Sequence, residues 1–188
     1  SFHLDLRGLE VAKVTVDGAT AATERDDDEL IVTPDRPLVG GAAFTAVVTY
    51  GGTPSAVPDP SAPGTIGWLT APSGSYVAGE TVGAKSFLPC NDHPSDKATV
   101  TWTVRAPSTH RVIANGELLE ETPDSNRTGM TVTRYATARP LPASRAAQRA
   151  PDSCATRSSS RRVSPAHTSR RATPSGGRPR RGCRGSTP

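Results

Sequence analysis

The side chains able to do chemistry cluster between Glu80 and Lys97. Asp92, His93 and Asp96 are all of types that ligate metal ions. They also flank Pro94, and three polar residues around a proline more commonly close a hydrogen-bonded turn than a metal site. Cys90 lies just upstream with no His-Asn or His-Asp pattern to activate it, so it reads as a packed, inert thiol rather than a nucleophile. Glu80, beside Gly79, reads on its own as an exposed loop carboxylate. Asn126-Arg127-Thr128 fits the glycosylation sequon, but such triplets are frequent by chance and carry little weight. The three cysteines, Cys90, Cys154 and Cys183, form no C-x-x-C pair, which argues against a disulfide framework or a zinc ribbon.

The elements that must position these residues read as strands. Phe2, Leu4 and Leu6 alternate with His3, Asp5 and Arg7, the period of a half-buried strand. Leu9 and Val11, then Val14 and Val16, continue it with a one-residue slip that suggests a bulge or turn. Asp17-Gly18 signals a hairpin turn. Leu30–Thr33 stops at Pro34, and Phe44–Tyr50 stops at Gly51-Gly52. Residues 53–74 are dense in Pro, Gly and Ser and read as a long loop around Ile66-Gly67-Trp68. Ala98, Val100, Trp102 and Val104 open a second strand group. Arg111–Ala114 runs into Asn115-Gly116 and Leu118-Leu119, a hairpin signal, and Met130, Val132 and Arg134 close the series. No segment shows a helical period. The expectation is an all-β unit of about seven or eight short strands.

Charge divides the chain. Residues 1–134 hold 10 Lys+Arg against 17 Asp+Glu, a net of −7, whereas residues 135–188 hold 12 Arg against Asp152 alone, a net of +11. The second part is built of Arg, Ala, Pro, Ser, Thr and Gly with almost no large aliphatic residue. It cannot bury enough apolar area to offset its conformational entropy, so a disordered tail is expected. No apolar run approaches the ~18 residues that a membrane-spanning helix needs.

The stretch from Tyr76 to Thr99 resembles the signature of the amino-terminal domain of the aminopeptidase N family of zinc metallopeptidases. Glu80 precedes Leu88-Pro89-Cys90, and Asp92-His93-Pro94 and Lys97-Ala98-Thr99 follow at the family's spacing. Phe2–Leu6, Thr15–Gly18, Gly67-Trp68 and Val112–Leu118 resemble the actinobacterial-type branch, so the resemblance covers roughly residues 1–134. It implies a saddle-like β-sandwich domain, here with its first strands missing upstream of Ser1, which would leave unpaired sheet edges and favour aggregation. It implies that Glu80 helps to bind the free α-amine of a peptide substrate, because an ammonium in a closed pocket needs a carboxylate partner. It also implies zinc in the complete enzyme, held in a catalytic domain that this sequence does not contain.

That chemistry needs H-E-x-x-H on a helix, so that two His one turn apart face one zinc and the Glu polarises its water. The four histidines, His3, His93, His110 and His167, include none followed by Glu and no two spaced by four. The sole methionine, Met130, does not sit in a G-x-M-E-N loop. The chain is therefore expected to bind no zinc, to hold no catalytic residue, and to be inactive alone. The alternative function is a non-catalytic β-sandwich binding module. Its tail, through Arg161-Arg162, Arg170-Arg171 and Arg178–Arg181, would touch nucleic acid or another polyanion non-specifically. A shifted reading frame in GC-rich DNA equally accounts for the tail, and the total absence of Lys there favours that account.

Overall fold

Strand-forming alternation is carried by β-branched and aromatic residues whose inward faces meet in pairs of sheets. The computed structural model describes residues 1–145 other than Ala62 and Ser73, and the backbone of two short later segments. The strands are β1 (Phe2–Asp5), β2 (Glu10–Val16), β3 (Ala19–Thr20), β4 (Ala22–Asp26), β5 (Glu29–Thr33), β6 (Ala46–Gly51), β7 (Ala56–Pro58), β8 (Thr65–Ala71) and β9 (Gly74–Ala78). After a 3-10 turn at Ala84–Ser86 come β10 (Lys97–Ala98), β11 (Thr101–Pro107), β12 (Ile113–Ala114), β13 (Glu117–Pro123), β14 (Met130–Ala136) and β15 (Leu141–Pro142). A second 3-10 turn, Ala143–Arg145, precedes β16 (Gln148–Ala150) and β17 (Arg161–Val163). The fold is all-β. Of the expected disordered tail, 135–188, the end of β14, β15, the second 3-10 turn and the backbone of β16 and β17 are described, and the rest of that expectation falls outside the described residues.

Two sandwiches share the chain. In the first, the sheet β17-β6-β2-β3 and the sheet β1-β5-β4 enclose Leu6, Val14, Val16, Leu30, Val32 and Val48. The slip between Val11 and Val14 is a bulge in the β2–β6 pairing, between Val11 and Lys13. Asp17 and Gly18 both take positive φ, 48° and 87°, in the β2–β3 turn, the conformation that matches strand twist in a two-residue hairpin. In the second, the sheet β12-β16-β9-β8-β7 and the sheet β11-β14-β13 contribute Val77, Trp68, Trp102, Val104 and Tyr135 to a core completed by Ala84, Phe87 and Leu88.

Three expectations need correction. Residues 53–74 are not a long loop, because they contain β7 and β8, which pair antiparallel with each other and, through β8, with β9. Their Pro, Gly and Ser content masked two successive hairpins, in which each strand pairs with the next along the chain. Asn115-Gly116 is not a β12–β13 hairpin turn. β12 pairs with β16 and β13 pairs with β14, and Gly116 packs against the chain at Ala136 so closely that a Cβ would lie 2.1 Å from its carbonyl oxygen. The strands also outnumber the seven or eight expected, since two- and three-residue strands and the wholly exposed β4 leave no alternating pattern to read. β14 runs through the composition change to Ala136, and Leu141–Pro142 pairs with Lys97–Ala98.

Candidate functional site: the Glu80 loop and its clasp

Glu80 sits at the mouth of a tight turn that leaves β9. Gly83 N–H donates to the Gly79 carbonyl at 2.9 Å and closes the turn, and the Glu80–Thr81 peptide bond is cis. Gly79 can be nothing larger, because a Cβ there would lie 2.3 Å from the Ser144 carbonyl oxygen. Both ends of the turn are therefore held by backbone, while Glu80 itself is exposed.

Beneath the turn is a buried hydroxyl. Ser86 Oγ accepts the Trp68 N–H at 2.9 Å and donates to the Gly83 carbonyl at 2.7 Å, tying β8 to the far end of the turn. Gly67, at φ +89°, makes room for it: a Cβ at Gly67 would lie 2.5 Å from Ser86 Oγ. Phe87 then lies between Trp68 and Trp102, with ring centroids 5.9 Å and 6.4 Å away. Sequence reasoning missed Ser86, since its partners lie far along the chain and no motif marks it.

The turn around Pro94 is a hydrogen-bonded one. Asn91 Nδ2 donates to Asp96 Oδ2 at 2.7 Å, Asp96 N–H donates to the His93 carbonyl at 3.0 Å, and Ser95 N–H donates to His93 Nδ1 at 3.2 Å. Asp92 points the other way. It is buried, its Oδ2 accepts the Lys85 N–H at 3.1 Å, and its own N–H donates to Asp5 Oδ2 at 2.8 Å. Burial raises its carboxyl above the ordinary value, the Asp5 charge adds to this, and the N–H groups of Lys85 and Ala84 oppose it. These donors do not fit zinc: the Asp92, His93 and Asp96 side chains are each engaged by different partners rather than converging on one point. Among the described residues no group of three or more His, Cys, Asp or Glu stands where it could hold a metal ion. Cys90 is half-buried, and its backbone forms an antiparallel bridge with Asp5. Asn126, Arg127 and Thr128 lie exposed in the β13–β14 turn. An open depression lined by Leu9, Val11, Thr23, Arg25 and Leu30 is floored by the first sandwich and does not include Glu80.

The all-β fold that carries this turn has counterparts of known structure. Residues 76–144 match the peptidase M1 N-terminal domain. The M1 zinc metallopeptidase of Deinococcus radiodurans, solved as a mutant bound to Tyr-Ser-Ala, is 31% identical with a TM-score of 0.74 over 80% of this chain and 34% of that one. The same organism's enzyme solved without that mutation is 29% identical, with a TM-score of 0.73 over 86% of this chain and 38% of that one. Legionella pneumophila aminopeptidase A, at 18% identity and a TM-score of 0.67 over 80% of this chain and 17% of that one, shares the fold. No curated protein sequence matches the chain. The β-domain described here belongs to the peptidase M1 family as its amino-terminal domain. The chain spans about a third of the length of the Deinococcus metallopeptidases.

Proposed function

We propose that this chain is the β-domain portion of a zinc-dependent aminopeptidase, in which Glu80 pairs with the free α-amine of the substrate. The observation that carries this reading is the placement of Glu80 inside the family match, on a turn whose two ends are fixed by Ser144, Gly67 and Ser86. A carboxylate that recognises an ammonium binds best from a loop already held in place, because freedom given up on binding weakens the pair. Pairing with a charged amine selects peptides with a free amino terminus and disfavours cleavage within a chain. Zinc and the water it activates would be supplied by a catalytic domain, and the described residues contribute no ligand to it. Alone, the chain does not hydrolyse peptides.

The test is a chimera in which residues 1–144 replace the corresponding domain of the Deinococcus metallopeptidase. Glu80→Gln in that chimera is expected to raise KM for an aminoacyl anilide by about 10- to 100-fold, the worth of a hydrogen bond to a charged group. An active chimera whose KM is indifferent to Glu80→Gln would remove Glu80 from amine recognition. An active chimera that cleaves acetylated and free-amine substrates equally would sink the aminopeptidase reading and leave the non-catalytic β-sandwich module.

A further inference from the structure

The two sandwiches meet along one seam, the segment from Lys85 to Asp92. Asp5 and Cys90 exchange both backbone hydrogen bonds across it, at 2.7 Å and 3.2 Å, and Tyr50 Oη donates to the Phe87 carbonyl at 3.0 Å. The seam begins five residues after Glu80, so what fixes its first residue also fixes the base of the Glu80 turn. That residue is Lys85.

Each of the three polar groups of Lys85 is engaged. Its N–H donates to Asp92 Oδ2 at 3.1 Å, its carbonyl accepts the Arg7 N–H at 2.8 Å, and its Nζ lies 2.9 Å from Asp28 Oδ2. Asp28 is itself held, because its carbonyl accepts at 2.8 Å the N–H of Leu6, a wholly buried residue of the first core. The Lys85 and Asp28 side chains are only 21% and 20% exposed, so water screens this pair less than an ordinary surface pair. Arg7 faces the same carboxylate oxygen from farther away, at 3.6 Å, and is about half exposed.

On its other side Lys85 leads straight into the clasp. Ser86 N–H and Ser86 Oγ both donate to the Gly83 carbonyl, at 3.2 Å and 2.7 Å, and Gly83 N–H closes the turn on Gly79. Gly83 has no space around it, since a Cβ there would lie 2.6 Å from Gly67 N. A shift of Ser86 is therefore passed to the turn rather than absorbed by it. The braces at Gly67 and Ser144 belong to the second sandwich, and Lys85 supplies the tie to the first.

We propose that Lys85 is a positioning residue for Glu80. Its ion pair with Asp28 fixes the Glu80 turn against the first sandwich, so that the carboxylate meets the substrate amine already in place. The proposal rests on the reading of Glu80 as the amine-binding residue, but its first readout is independent of that reading.

That readout is amide exchange in the full chain, compared between Lys85→Met, which keeps the aliphatic stem and loses the charge, and Lys85→Arg, which keeps the charge. In Lys85→Met the Gly83 and Trp68 amides are expected to exchange about fivefold faster, the weight of one partly screened ion pair. The Ala21 and Thr137 amides, bonded to the Val14 and Val100 carbonyls, are expected to keep their native rates. Lys85→Arg is expected to leave all four amides as they are. Unmoved Gly83 and Trp68 amides in Lys85→Met, or a rise shared by all four, overturn the proposal. Should Lys85→Met fail to fold, Asp28→Asn removes the same pair from the other side and is read in the same way.

In the active chimera, Lys85→Met is expected to raise KM about fivefold while Glu80 is present and to change nothing once Glu80→Gln is in place. An equal effect in both backgrounds means that Lys85 acts independently of Glu80, and overturns the positioning role. A chimera in which Glu80→Gln itself changes nothing overturns amine recognition instead, and the exchange rates then judge the Lys85 tie by themselves.

Discussion

At the scale of single residues, position is enforced by groups that cannot change size. Ser86 serves two backbone partners at once, and Gly67 and Gly79 leave just enough room for a hydroxyl and a carbonyl. Ser86→Ala removes an acceptor from the Trp68 N–H and a donor from the Gly83 carbonyl in a buried setting. It is expected to cost about 1–3 kcal/mol, read as a lower urea midpoint at an unchanged m-value. A loss below about 0.5 kcal/mol, the level of ordinary surface substitutions, would show that other contacts carry the turn. Glu80 and the Asp92-His93-Pro94 turn were legible as residues, because their types and spacing are local. The contact of Asp92 with Asp5 was not legible, since the two lie 87 positions apart in the chain.

Elements owe their stability to which face they bury. β11 alternates cleanly, with Trp102 and Ala106 buried and Thr101, Thr103 and Arg105 exposed. Trp102 pairs with Tyr135 across the sheet and stacks on Phe87, so it links β11 to β14 and to the signature segment. Trp102→Ala is expected to cost about 3–5 kcal/mol. That is a large part of the total for a domain of this kind, about 5–15 kcal/mol. Chemical denaturation measures it directly, and a cost under about 1 kcal/mol would mean that the second core closes without the indole. β4 behaves differently. It buries nothing, and as a sheet edge it carries Glu24, Arg25 and Asp26, charges that discourage pairing with another chain. Arg25 also reaches inward to the Leu6 and Leu9 carbonyls, which ties this edge to the bend between β1 and β2.

On the scale of the whole molecule, an acidic β-domain is followed by a strongly basic segment. The family match runs to residue 144, beyond the charge change at 134. We propose that the Arg-rich vocabulary after this region comes from a shifted reading frame. Sequencing the encoding DNA downstream of the Arg134 codon is then expected to reveal, in another frame, a strand pattern followed by G-x-M-E-N and H-E-x-x-H. If stops close every other frame, the basic arm is genuine. Its mark would be polyanion binding that weakens steeply with salt, with a log–log slope of about −0.7 per phosphate contact on single strands.

The all-β class, the bulge after Val11, the Asp17-Gly18 turn and the family resemblance were all determined by the sequence itself, because each rests on residues within a few positions of one another. Periodicity and turn chemistry are local properties of the backbone. Tertiary structure alone decided that residues 56–71 are strands, that Asn115-Gly116 is no hairpin, and that Lys85–Asp92 is the seam between two cores. The seam and the Ser86 clasp depend on hydrogen bonds between residues 18 to 87 positions apart, whereas β7, β8 and β9 pair with their neighbours along the chain but lack an alternating pattern. No local pattern encodes such contacts, since they arise only when both cores have closed around them.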